Sequence, residues 1–396
     1  MNKNKVAIHK LYIIVILYMI FALRIFSMFM ILPVIFITGL NLEHANTFLI
    51  GIAVGIYGLF QALFQIPLGI LSDFIGRKLV IILCLFLFLL GSLCAAMSNS
   101  IEQFIFSRFL QGLGAISSTI MAYLSEITEE KNRTQVIFFL GIFLGFSFAL
   151  SIILGPFILN HYGFRKLFFF ISILIIFFIL IVLLFFPSTL NLNIKKIILR
   201  KNIFDSIKSN LNFDTYILFF SIFCLHFILM FNFIIFPKKL LLLGIVLSDH
   251  WKIYFLTILI SFLLIIFMIH YLEKKFSKIF LLFSFIFLLT ISELIFLFSY
   301  NSIILLFLSI QFFFIAFVFL ESFIPSTLSK IISSQSKGLI MGIYSTSQFI
   351  GSAIGGGIGG WVLYLYGLNM ILYIIIGLCF LWLILIFTYC IKNYLI

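Results

Sequence analysis

Long apolar runs separated by short polar breaks repeat along the whole chain. A helix needs about 20 mainly apolar residues to cross bilayer hydrocarbon, and at that length the runs predict about twelve spans. They fall near 11–38, 48–71, 79–98, 101–123, 135–159, 165–186, 214–236, 251–271, 279–298, 302–328, 338–365 and 368–391. The first run continues past Pro33 with no small-residue cleavage site, so it is expected to stay as a span and not to be removed as a signal peptide. The longest polar stretch divides the spans six and six. The expected organisation is an N-terminal six-helix half over 1–186, a cytoplasmic linker over 187–213 and a C-terminal six-helix half over 214–396. Within the linker, Ile194, Ile197, Ile198, Phe204 and Ile207 recur at helical spacing against Lys195, Lys196, Arg200, Lys201 and Lys208. That pattern suits an amphipathic helix on the membrane surface, with a flexible tether as the alternative.

Composition strengthens the membrane reading. Hydrophobic residues make up 64% and charged residues 9% of 396 positions, more apolar surface than a water-soluble core could bury. The fold class expected is therefore all-α integral membrane. Most of the 25 lysines and arginines lie in alternate breaks, from Lys3, Lys5 and Lys10 through Arg77, Lys78, Lys131 and Arg133 to Lys330, Lys337 and Lys392. The intervening breaks hold only Arg165, Lys166, Lys238, Lys239 and Lys252. Basic loops are retained in the cytoplasm, so both termini are expected there. The net charge of +13 then follows from topology and contact with the lipid bilayer, and nucleic acid is not needed as a partner. The five cysteines, Cys84, Cys94, Cys224, Cys379 and Cys390, sit in apolar runs without CxxC spacing, and no histidine pair has metal-ligand spacing. No metal or cofactor is expected.

One turn concentrates charge. Gly69-Ile70-Leu71-Ser72-Asp73-Phe74-Ile75-Gly76-Arg77-Lys78 places a carboxylate, two cations and two glycines between apolar spans. Glycine permits close helix approach and left-handed backbone, and ion pairs could tie helix ends together, as a hinge between rocking bundles requires. A membrane transporter is the reading this turn favours.

Ionisable residues inside spans are costly and so mark function by default. Arg24, Arg108, Glu293 and Glu321 have this position, and His226 could join a proton relay or be a satisfied core histidine. For the two arginines the alternative is a structural cation bonded to carbonyls. Glu321 precedes Pro325, whose missing donor opens the helix, and it is the stronger proton-coupling candidate. Small residues suggest helix packing: Gly141, Gly145, Ser151 and Gly155 along the fifth span with a bend at Pro156, and Gly351, Gly355, Gly356, Gly357, Gly359 and Gly360 in the eleventh. The latter run lacks the GK[ST] of a phosphate loop.

The turn at 69–78, the run Arg108-Phe109-Leu110-Gln111-Gly112-Leu113-Gly114 and the pair Gly155-Pro156 resemble three signature motifs of the major facilitator superfamily, in its proton-coupled drug-exporter branch. That resemblance implies twelve transmembrane helices in two halves, alternating access and no enzymatic activity. Its further implications are a small amphipathic substrate exchanged for a proton, a monomer, and residence in the inner membrane. It places Asp73 against the start of the eleventh span near Gly338, pairs Arg77 with Glu126, and associates Arg108 with proton coupling. Phe157, Ile158, Leu159 and Asn160 follow Gly155-Pro156 where antiporters continue into further glycines, so uptake or facilitated transport on the same fold is the alternative. A polytopic membrane enzyme would need interfacial catalytic carboxylates or His/Asp clusters, which the sequence lacks.

Overall fold

The computed structural model describes residues 3–129, 132–186, 212–299, 302–332 and 337–394, and the expected surface helix between Ile194 and Lys208 lies outside them. Among the described residues the regular structure is helical, apart from one isolated bridge between Glu43 and Ser100. The helices are α1 (Lys3–Thr38), α2 (Thr47–Ile75), α3 (Arg77–Met97), α4 (Ile101–Leu113), α5 (Ser117–Ile127), α6 (Arg133–Tyr162) and α7 (Phe164–Phe185). They continue as α8 (Phe213–Leu242), α9 (His250–Lys275), α10 (Lys278–Phe298), α11 (Ile303–Ile331), α12 (Lys337–Tyr366) and α13 (Leu368–Tyr394).

Among the described residues, eleven helices are long and apolar enough to cross a membrane. The difference from the expected count lies in the fourth span. Instead of one helix over 101–123 the chain forms α4 and α5, broken at Gly114, Ala115 and Ile116. Backbone contact explains the break: a Cβ on Gly114 would stand 2.5 Å from the carbonyl oxygen of Cys84 on α3. The Ala115 amide turns back to Leu113 O at 2.9 Å.

Several starts are fixed by side chains that satisfy the open amides of the first turn. Asn46 accepts from Leu49 N at α2, Ser277 from Phe280 N at α10, and Asn212 with Thr215 forms a capping box at α8. A single glycine of positive φ joins α2 to α3 at Gly76 (φ 96°), and the same device recurs at Gly163 and Gly367.

Lipid gives apolar helices no reason to prefer one another to hydrocarbon, so association depends on close backbone packing. The glycines provide it. A Cβ on Gly360 of α12 would lie 2.5 Å from Gly51 Cα of α2, one on Gly351 would lie 2.3 Å from Phe223 O of α8, and one on Gly155 of α6 would lie 2.0 Å from Met30 O of α1. Helix α12 is thereby wedged between α2 and α8, its two most extensive neighbours. Residues 26–36 of α1 and 224–237 of α8 are buried on every face, as expected for helices hydrophobic all round and enclosed by others. Phe157 of α6 and Trp251 of α9 meet edge to face at 6.1 Å, at the end of the bundle opposite the 69–78 turn.

Candidate functional site

Four groups of polar residues interrupt this apolar interior. The first is the charged turn. Arg77, the first residue of α3, donates to Glu126 Oε1 of α5 at 2.9 Å and to Glu126 Oε2 at 3.4 Å. It also bonds Asp73 and Ser72 and reaches Gly69 O at 3.4 Å. One buried guanidinium thus ties α2, α3 and α5 together. Gly69 serves packing here, since a Cβ would lie 2.9 Å from Ser118 Oγ of α5, whereas Gly76 serves the turn. Lys78 donates to Leu183 O at 2.9 Å and Phe186 O at 2.6 Å, placing its charge on the open carbonyls that end α7. The side chains at the start of α12 near Gly338 lie outside those described.

The second group joins three helices of the C-terminal part. His226 Nε2 on α8 lies 3.0 Å from Glu321 Oε2 on α11, and Gln348 on α12 donates to Glu321 Oε1 at 3.1 Å. Gln348 Nε2 also stands 2.7 Å from His226 Nε2, and Ser352 Oγ 3.4 Å from His226 Nδ1. An imidazole nitrogen and a carboxyl oxygen 3.0 Å apart are hydrogen-bonded, with the hydrogen carried by one of the two. Pro325 lies inside α11 and offers no amide to the Glu321 carbonyl one turn earlier. Phe29 of α1 and Phe317 of α11 flank the His226 ring at 6.4 and 6.0 Å, and Phe148 of α6 stacks on Phe317 at 5.1 Å.

Glu293 stands apart from this cluster. It is buried on α10 and accepts from Asn232 Nδ2 of α8 at 2.7 Å, while Glu293 Oε2 and Asn232 Oδ1 have no partner.

The fourth group holds both intramembrane arginines. Arg24 on α1 donates to Gln61 Oε1 and, at 3.3 Å, to Tyr57 Oη of α2, and its guanidinium carbon lies 4.5 Å from the centre of the Phe88 ring. Arg108 on α4 donates to Gln111 Oε1 at 2.5 Å and stacks 4.4 Å from the centre of the Tyr57 ring. Gln111 in turn donates to Ser92 Oγ of α3 at 3.0 Å. Gly112 lets α4 approach α2 here, a Cβ on it falling 2.8 Å from Tyr57 O.

The sequence profile of the Major Facilitator Superfamily matches residues 14–334. The chain belongs to that superfamily. It is 41% identical over 346 residues to the inner membrane transport protein YajR of Escherichia coli, covering 87% of this chain and 75% of that one. It is also 41% identical over 341 residues to an uncharacterized transporter of Buchnera aphidicola subsp. Acyrthosiphon pisum, covering 85% and 86%. A crystal structure of a D-xylose–proton symporter superposes with a TM-score of 0.74 at 14% identity, over 94% of this chain and 96% of that one, a likeness of fold alone. Members are membrane transporters and not enzymes, so the polytopic-enzyme alternative is set aside.

Of the expected site residues, the fold brings together Asp73, Arg77 and Glu126, pairs His226 with Glu321, sets Arg24 and Arg108 around one tyrosine, and leaves Glu293 alone with Asn232. Among the packing glycines, Gly355 and Gly359 face Phe227 O and Ile234 of α8 at 2.8 and 2.3 Å, whereas Gly145 meets only Phe262 at an ordinary 3.7 Å. Pro156 lies inside α6, which continues through it to Tyr162. Sequence reasoning missed Tyr57, Asn232, Ser92 and Ser352. Polar side chains at i and i+4 on α2 (Tyr57, Gln61, Gln65) were the signal that could have drawn attention to that face.

Proposed function

We propose that the chain is a proton-coupled carrier of the bacterial inner membrane that exports small amphipathic molecules by alternating access between two six-helix halves, 1–186 and 214–396. Counting α4 and α5 as one broken crossing gives twelve spans, with both termini cytoplasmic, and the carrier acts as a monomer. The observation that carries this reading is the hydrogen bond between buried His226 and partly exposed Glu321, beside which Phe29 and Phe148 from the other half pack on His226 and Phe317. A proton held where the halves meet can bias which face opens, because each protonation state favours one packing of the interface.

In this cycle the Asp73, Arg77 and Glu126 cluster keeps the ends of α2, α3 and α5 moving as one body, and Asp73 meets the start of α12 when the cytoplasmic side closes. Such contacts are worth ~1–3 kcal/mol, enough to bias two states without locking either. The departure at Phe157 to Asn160 favours a second reading, uptake by the same fold. The test is a compound panel applied to proteoliposomes with and without an imposed pH gradient, while internal pH is followed. A coupled exporter moves protons into the lumen it pumps from when a substrate is present. Gradient-dependent solute movement with no proton flux overturns the coupling, and movement in the same direction as the proton establishes uptake.

A further inference from the structure

Two full positive charges are buried in the N-terminal part of the bundle, each only 2% exposed, and among the described residues no carboxylate is within ion-pair reach of either. The sequence shows why. The acids before residue 187 are Glu43, Asp73, Glu102, Glu126, Glu129 and Glu130, and those among the described residues lie in loops or in the first or last turns of helices. The arginines are not far apart either: Arg24 donates to the hydroxyl of Tyr57 while Arg108 lies on its ring.

Aromatic faces and amide oxygens satisfy part of each guanidinium but leave the net charge in place. An uncompensated cation in a membrane interior costs several kcal/mol, and two neighbouring cations add their mutual repulsion. Arg24 is also incompletely bonded: its Nε and Nη1 are buried without a partner. One turn beyond Gln61, Gln65 has neither side-chain polar atom bonded, although it is 1% exposed. Unused donors facing an excess of positive charge are the complement of an oxyanion, and the guanidinium fork matches carboxylate and phosphate geometry.

We propose that Arg24 and Arg108 form an anion-binding site and that the transported solute carries a carboxylate or phosphate group. The inference rests on the carrier reading above and adds the chemical class of its substrate. Arg24 offers its unused Nε–H and Nη1–H donors, Arg108 supplies the second charge, and Tyr57 contacts both arginines. The apolar remainder of the solute would then extend toward Phe29 and Phe148, which pack on His226 and Phe317.

The experiment uses the full chain in nanodiscs of phosphatidylcholine alone, which excludes an anionic lipid as the ligand. Thermal unfolding is followed at fixed pH and ionic strength with sodium benzoate, phenyl phosphate, inorganic phosphate, benzamide and phenyltrimethylammonium. Benzoate or phenyl phosphate should raise the midpoint saturably by several degrees, and benzamide and the ammonium should not. Arg24→Gln should abolish the rise, and Arg24→Lys, which keeps the charge, should retain part of it and show that the site still folds. The inference fails if no organic anion exceeds benzamide, if only inorganic phosphate acts, or if the rise survives in Arg24→Gln. Absence of anion binding alongside intact gradient-driven transport overturns this inference alone. Loss of all gradient-driven transport alongside intact anion binding overturns the carrier reading instead.

Discussion

Nε2 of His226 lies 3.0 Å from Oε2 of Glu321, although 95 positions separate the two residues in the chain. Neither has another titratable partner among its hydrogen bonds; the remaining contacts are to Gln348 and Ser352. Glu321 is a third exposed and His226 is sealed, so the carboxyl is the member of the pair open to its surroundings.

Glu321→Gln keeps the shape and one acceptor oxygen but cannot exchange a proton. Substrate-evoked proton flux in proteoliposomes should fall by at least about tenfold, 1.4 kcal/mol, while solute exchange without a gradient continues. His226→Gln should do the same, and the double variant should be little worse than either alone because one shared proton is lost in each case. Additive losses would show that the two residues act independently.

At the charged turn the members differ in burial. The Arg77 side chain is 9% exposed, Glu126 33% and Asp73 45%. Asp73→Asn should therefore cost about 1 kcal/mol or less in stability and, on the gating role proposed for it, still slow transport. Arg77→Ala removes the guanidinium that Glu126, Asp73 and the Ser72 hydroxyl share, so a loss of about 3 kcal/mol is expected. Thermal unfolding beside initial transport rates separates the two. Asp73→Asn transporting at the normal rate removes the gate.

Sequence pattern revealed span positions well because the physics is one-dimensional: a run of about 20 apolar residues such as 165–186 has few alternatives in a bilayer. It revealed the turn for the same reason, as Asp73 to Lys78 is a local motif. The break at Gly114 was not legible, since its cause is the Cys84 carbonyl on another helix. The partner of Glu321 was equally hidden. Nothing in the spacing of His226, Glu321 and Gln348 announces that α8, α11 and α12 converge, and Asn232 reads as any polar residue in an apolar run, its bond to Glu293 of α10 being set by how the helices pack.

Two glycines on one helix make opposite predictions. A methyl on Gly155 would fall 2.0 Å from the carbonyl oxygen of Met30, so Gly155→Ala must push α6 off α1 and should cost about 3 kcal/mol or more. Gly141 has nothing within 4 Å, and Gly141→Ala should stabilise by up to about 1 kcal/mol through helix propensity. Unfolding temperatures in detergent report both. Equal effects would mean that α1 and α6 do not meet at Met30.

Glu293 tests whether every buried acid in the bundle serves the proton. It is sealed between α8 and α10 with one hydrogen bond, from Asn232, and the aromatic residues that link the halves cover His226 and not Glu293. Glu293→Gln can still accept from Asn232 through its amide oxygen, so substrate-evoked proton flux should stay within about twofold of the wild type, a difference below ~0.5 kcal/mol. Asn232→Leu removes the donor and leaves a buried carboxyl unsatisfied, which should lower stability by about 1–3 kcal/mol. Were Glu293→Gln to abolish coupling while Glu321→Gln did not, the proton would have to travel through the core of the C-terminal half, and the interface between the halves would lose its part in coupling.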